Sequence, residues 1–383
     1  MFLPCVGVTA FATEDDFVAY DVMKEFVSSH PYRKSGTENE KKAGEYIKNF
    51  FETIGYETDV QEFEFNLYSN VYGSEDIVED RNYVARLDSD ANKTIVIGAH
   101  YDNVFSSGSG QGAYDNGSGV GILLNLAKTF YGETLPFDIE FVAFGGEENG
   151  MYGSNYYLSS MTSSRKDNIL LYINLDSILA GDKVYMYCDE VKTYHEQYFL
   201  SVANGLGVNI DLLPEYKAVA GVYMEGDKLP YTHVGLMSDN ATFFNQGILS
   251  VSFSSYNYTR EVLEQVNESV NFDNVMHTEK DNIQAIENMY GDDAKNKMKD
   301  VYSVVKKALF SSDFIEKMNY AKQNNLNYTN IVNGKIGAVI SVCIIAILIV
   351  AIWIYCAVNK RKNLQKIQIE EESKKPPQVF SDF

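Results

Sequence analysis

Three short apolar runs, each ending in a small polar cluster, set the rhythm of this chain. Thr94 to Ala99 leads into His100-Tyr101-Asp102, and Asp138 to Phe144 leads into Gly145-Gly146-Glu147-Glu148-Asn149-Gly150. Ile169 to Ile173 leads into Asn174-Leu175-Asp176-Ser177. Between the first two lies a glycine-rich stretch, Gly112 to Gly119, followed by Val120 to Phe130, which has the length and leucine content of a helix. Strand-length runs alternating with helix-length segments predict β-α-β units and an α/β fold: a mixed, mostly parallel central sheet flanked by helices.

The remaining pattern fits around that core. Glu14 to Ser29 and Glu38 to Ile54 carry apolar residues at helical spacing, and Gly55 supplies a stop to the second. Glu57 to Leu67 and Asn82 to Leu87 alternate like strands, an expected antiparallel pair beside the Thr94 strand. Further on, Lys183 to Cys188 and Leu249 to Ser254 read as strands and Lys192 to Leu206 as a helix. Glu279 to Leu309 and Ser312 to Asn325 read as closing helices.

Both termini differ in kind from the interior. Met1 to Ala12 is apolar and ends Ala10-Phe11-Ala12, the small-residue spacing of a signal-peptidase site, so residues 1–12 are expected to be a signal peptide. Ile336 to Val358 is an apolar run without a charge, long enough for a helix to cross a hydrocarbon core of roughly 30 Å. Asn359-Lys360-Arg361-Lys362 follows at once, and basic flanks stay cytoplasmic. The expected organisation is a domain over residues 13–323, a stalk over 324–335, one transmembrane helix over 336–358 and a cytoplasmic tail over 359–383. The chain is thus expected to be a single-pass membrane protein with its domain extracellular or lumenal.

Composition narrows the function by exclusion. A formal charge of −21 over 383 residues leaves no basic stripe to neutralise phosphates, which argues against nucleic acid as a partner. Of four cysteines only Cys188 falls within the domain, so no internal disulfide is expected there. Six Asn-X-Ser/Thr sequons suit a lumenal protein, although Asn116 sits inside the candidate site, where a glycan has no room.

Ligands of parallel sheets bind beyond the carboxyl ends of the strands, which is where the His, Asp and Glu residues of the three clusters fall. Imidazole and carboxylate hold Zn²⁺ at roughly 2.0–2.2 Å, and converging carboxylates repel one another unless a cation lies between them. These residues therefore point to a metal site.

Taken in order, the clusters resemble the M28 family of zinc metallopeptidases, typified by bacterial dizinc aminopeptidases. The likeness rests on His100-x-Asp102, Gly112-x-x-Asp115-Asn116-x-Ser118-Gly119, Glu147-Glu148-x-Gly150-x-x-Gly153-Ser154, Asn174-x-Asp176 and a late His277-Thr278. Ser238-Asp239 before Phe244 and Gly247-Ile248 adds to it. The resemblance implies two Zn²⁺ ions bridged by Asp115, one completed by His100 and Asp176, the other by Glu148 and His277. It also implies that Asp102 fixes the tautomer of His100 and that Glu147 is the general base. The residues agree with those roles: adjacent carboxylates on a turn diverge, so one can bind metal while its neighbour faces the open position.

The implied activity is removal of N-terminal residues from peptides by water attack. Glutaminyl-peptide cyclisation, carboxypeptidase action and an inactive receptor or subunit on the same scaffold remain as alternatives. Two positions depart from the family pattern. Met276 stands where some members have an oxyanion-steadying tyrosine, a role Tyr223 or Tyr256 could take, and Asn240 stands where many have histidine.

Overall fold

A computed structural model describes residues 16–68, 75–188, 193–213, 217–219, 222–224, 238–257 and 275–324. Its elements run α1 (Ala19–Ser29), α2 (Glu38–Ile54), β1 (Thr58–Tyr68), β2 (Glu75–Leu87), β3 (Thr94–His100), α3 (Ser118–Phe130), β4 (Asp138–Phe144), α4 (Tyr152–Ser159), α5 (Ser163–Asn168) and β5 (Ile169–Leu175). They continue with β6 (Lys183–Tyr187), α6 (Tyr194–Leu206), β7 (Ile210–Leu212), β8 (Lys217–Val219), β9 (Val222–Met224), α7 (Asn240–Asn245), β10 (Ser250–Tyr256), α8 (Ile283–Tyr290) and α9 (Asp292–Leu309). Residues 314–324 are also helical.

Eight strands form one sheet in the order β1-β2-β4-β3-β5-β10-β6-β7, and β8 pairs with β9 separately. The centre, β4-β3-β5-β10, is parallel, while β1, β2 and β6 join it through antiparallel pairs. Every residue of β3 and β5 is buried, as expected of strands covered on both faces. Ile95, Ile97, Phe141 and Ile173 point into the larger core with α1, α2, α3 and α9. Their neighbours Val96, Val142, Phe144 and Tyr172 point into a second core closed by Tyr157 of α4 and Phe243 of α7. The ring of Phe243 stacks on that of Tyr172 with centroids 3.8 Å apart.

Several expectations need correction. The β1–β2 pair adjoins β4 rather than β3, so the Thr94 strand lies deeper in the sheet than alternation alone suggested. The first helix begins at Ala19, where Asn125 of α3 accepts hydrogen bonds from the backbone N–H groups of Val18 and Ala19. The closing segment is not one helix from Glu279: Gly291, at φ 54°, separates α8 from α9, and residues 275–282 form a loop. The strand expected over Leu249 to Ser254 is present as β10 and pairs between β5 and β6. Among the described residues no helix is long and apolar enough to cross a membrane. The expected signal at 1–12 and membrane helix at 336–358 lie outside them.

Candidate metal centre

The carboxyl ends of β3, β4 and β5 open onto one side of the sheet, and every predicted site residue meets there. His100 is the last residue of β3 and Asp176 follows β5 directly. His100 Nε2 lies 3.2 Å from Asp115 Oδ1 and 3.4 Å from Asp176 Oδ1. On the other side of Asp115, His277 Nε2 lies 3.0 Å from its Oδ2 and 3.1 Å from Glu148 Oε2. Two trios result, His100–Asp115–Asp176 and Asp115–Glu148–His277, each with its ligand atoms within 4.8 Å of one another. Asp115 belongs to both, turning one oxygen to each histidine.

Local structure explains how each group gets there. Gly112 to Gly117 turns sharply into α3, and Gly119 packs where a Cβ would collide with the Leu175 carbonyl and the Asn116 amide. Asn116 is fully buried; its side chain donates to Leu175 O at 2.8 Å and accepts from the N–H groups of Gly119 and Ser177. No glycan can reach that sequon. Gly146, at φ 67°, starts the turn that presents Glu147 and Glu148, and hydrogen bonds from the N–H groups of Gly150 and Met151 to Glu147 O close it. Met151, Ser177 and His277 carry positive φ without being glycine, conformations that persist when surrounding structure over-determines them.

Asp102 is the hub beneath the site. Its Oδ1 stands 3.4 Å from His100 Nδ1, and its two oxygens accept the backbone N–H groups of Glu147 and Glu148, each at 3.2 Å. Ser35 donates its hydroxyl to Asp102 Oδ2 at 2.8 Å.

Three supporting residues carried no periodic or motif signal. Arg33 is fully buried and donates to the carbonyls of His30, Tyr101, Gln111 and Gly112, tying the end of β3 to the turn before Asp115. Asp281 accepts the N–H groups of Tyr114 and Asp115 at 2.7 and 3.1 Å, while its own carbonyl receives those of Gln111 and Gly112. It thereby pins the His277 loop to the Asp115 turn. Ser35 is the third. Each is a lone polar residue in a loop, and only the folded chain reveals what it holds.

Electrostatics bear on occupancy. Burial raises Glu147 well above the usual carboxylate range, with Asp239, Asp176 and Glu148 adding to it against His100. Burial and Asp115 push Glu148 up to about 7. Burial opposes ionisation of Asp115, yet hydrogen bonds to His100 and His277 hold it well below its ordinary value. Those to Asp115 and Glu148 raise His277 to about 11. Asp239 is wholly buried beside Ser154, and burial first of all lifts it to about 7. Seven carboxyl groups, those of Asp102, Asp115, Glu147, Glu148, Asp176, Asp239 and Asp281, thus crowd two imidazoles and one guanidinium.

The donor set fits divalent zinc. Tetrahedral bonds of about 2.0–2.2 Å put neighbouring ligand atoms roughly 3.3–3.6 Å apart; the N···O spacings in the two trios, 3.0 to 3.4 Å, match or fall slightly inside that edge. Glu148 Oε1 is a further buried atom without a partner.

Residues 82–301 match peptidase family M28, and the chain belongs to that family. By that membership it is a peptidase, a hydrolase of peptide bonds. It is 28% identical over 247 residues to an alkaline phosphatase isozyme conversion protein of Escherichia coli, covering 57% of this chain and 70% of that one. It is 29% identical over 237 residues to leupeptin-inactivating enzyme 1 of Streptomyces exfoliatus, covering 60% of this chain and 46% of the relative. The fold is similar to that of a zinc aminopeptidase from Bacillus subtilis, with a TM-score of 0.59 at 16% identity over 76% of this chain and 94% of the other.

Proposed function

We propose that the chain is a dizinc aminopeptidase, with His100, Asp115 and Asp176 holding one ion and Asp115, Glu148 and His277 the other. The observation that carries this reading is the carboxylate of Asp115, whose two oxygens face different histidines in two separate trios. Zinc bound there supplies Lewis acidity, polarising a scissile carbonyl and lowering the pKa of water.

The protein's own groups do the rest. Asp102 orients His100 through Nδ1, which favours Nε2 as the ligand atom, and ties that orientation to the Glu147–Glu148 turn. Glu147, on the turn whose N–H groups Asp102 holds, accepts a proton from the attacking water and returns it to the departing amine. Such proton transfer contributes about 10²–10⁴-fold. The surplus of carboxylates favours a substrate whose free α-ammonium group lies beside the site, hence the amino end of a peptide. The oxyanion donor is unassigned: Met276 packs on the core, and Tyr256 packs with Tyr185, Tyr187 and Leu213. The side chain of Tyr223 lies outside the described residues.

The reading extends to location. The uncharged run Ile336 to Val358 and the basic residues after it support a single-pass anchor with the catalytic domain extracellular or lumenal.

A panel of aminoacyl chromogens tests the activity, with N-acetylated counterparts and a glutaminyl peptide included. Free-amine substrates are expected to be cleaved, acetylated ones spared, and chelator to stop turnover until zinc is restored. Cyclised product from the glutaminyl peptide, or no release from any free-amine substrate, contradicts the proposal.

A further inference from the structure

Glu40 on α2 and Asp80 on β2 are two carboxyl groups that the proposed chemistry does not use, each about 1% exposed. Each has one oxygen with a conventional donor. Glu40 Oε2 accepts the N–H of Gly36 at 3.0 Å, and Asp80 Oδ1 accepts that of Arg81 at 2.6 Å, with the Tyr101 hydroxyl 3.4 Å away. The other oxygens, Glu40 Oε1 and Asp80 Oδ2, are buried and accept no hydrogen bond of good geometry; the two carboxyl groups face one another, with the Tyr101 hydroxyl turned towards both. The Arg81 side chain turns away to Glu62.

A simpler reading takes Glu40 as the third helical residue of a capping box, since Thr37 accepts its N–H at 3.3 Å. The returning bond falls one residue early, on the N–H of Gly36 rather than that of Thr37, and occupies Oε2. The capping box leaves unexplained the full burial, the second oxygen and the carboxyl group of Asp80 alongside.

We infer that Glu40 and Asp80 hold one proton between them, and that this acid–carboxylate pair is the support under the turn that aims Glu147. A proton donated from Glu40 to Asp80 satisfies both orphaned oxygens at once, whereas two ionised carboxylates at hydrogen-bonding distance would repel without compensation. The pair reaches the base turn by two routes. Asp80 lies directly against Gly145 and Gly146, where a Cβ on Gly145 would collide with its carboxylate. Glu40 fixes Gly36, whose neighbour Ser35 donates to Asp102, and Asp102 receives the N–H groups of Glu147 and Glu148. Glu40 and Asp80 are therefore positioning residues for the proposed base, and in that respect the inference rests on the aminopeptidase reading.

The surroundings favour holding the proton. Burial, then Asp80 and Asp102, push Glu40 up to about 11, and burial pushes Asp80 up to about 6. The other groups facing the pair are Glu45 of α2, Tyr83 and Arg81 of β2, and Tyr101 after β3. A carboxyl raised in the folded state contributes stability that is present at low pH. That contribution is lost as pH climbs from the unfolded carboxylate range towards the folded value.

The experiment compares wild type, E40Q and E40A in the full chain by infrared difference spectroscopy, thermal unfolding against pH, and kinetics. Wild type is expected to show a protonated-carboxyl stretch at neutral pH that E40Q lacks, and to lose melting temperature steadily from about pH 6 to about pH 9, with E40Q much flatter. E40Q, an amide that still donates to Asp80, should keep kcat within about threefold, while E40A loses at least about tenfold in kcat with KM little changed. Absence of the protonated band in wild type overturns the inference, as does an E40Q variant with wild-type pH dependence or with the losses of E40A. The band and the unfolding profile need no turnover. A chain inactive on every peptide yet showing both would sink the aminopeptidase reading and leave the shared proton standing.

Discussion

The two trios around Asp115 are built by different means. His100 and Asp176 sit at the ends of adjacent parallel strands, β3 and β5, whose residues are all buried, so the sheet itself sets their spacing. Glu148 sits on a tight turn and His277 on the loop 275–282, with positive φ and a side chain 49% exposed. Their places depend on particular hydrogen bonds, chiefly those of Asp102 to the Glu147–Glu148 turn and of Asp281 to the Asp115 turn. One half of the centre is therefore a property of the fold, and the other a property of a few polar side chains.

Replacing the histidines one at a time probes this contrast most strongly. H277A is expected to retain one tightly held zinc per chain, because His100, Asp115 and Asp176 stay in place. H100A is expected to lose the strand-built ion and to hold the remaining one loosely enough to be stripped by dialysis, with activity reduced in both by more than about 10²-fold. Zinc content by elemental analysis, beside turnover, distinguishes them; equal retention by the two variants would break the comparison.

D102N acts on both halves at once and more gently. It weakens the orientation of His100 and the anchoring of the base turn, so metal affinity or activity should fall by about 10–100-fold. Zinc titration with a competing chelator reads that loss. No change in either quantity would mean that backbone geometry alone holds the turn.

The same contrast governs what could be read from the sequence. Strand-length apolar runs ending in His100-Tyr101-Asp102 and Asn174-Leu175-Asp176 declare both an element and the place where ligands belong, so the positions of His100 and Asp176 follow from pattern and sheet geometry, whereas the bridging place of Asp115 came from the family resemblance. His277 lies in a stretch without periodicity, and only the family resemblance pointed to it. Arg33 and Asp281 were not legible at all: their bonds to the β3 end and to the Asp115 turn span 68 and 166 residues of sequence, and nothing local marks a loop arginine that will bind carbonyls or a loop aspartate that will receive backbone N–H groups. The misplaced β1–β2 pair has a related cause, because alternation identifies an antiparallel pair without naming the strand it joins.

The proposed function requires a metal-holding shell that is separate from Glu147, the proposed base. Purified E147Q, measured for zinc content and for turnover of an aminoacyl chromogen, tests that separation most directly. The expected result is about two zinc ions per chain, as in wild type, with kcat lower by about 10²–10⁴-fold. Wild-type turnover by E147Q, or loss of its zinc, would contradict the assignment.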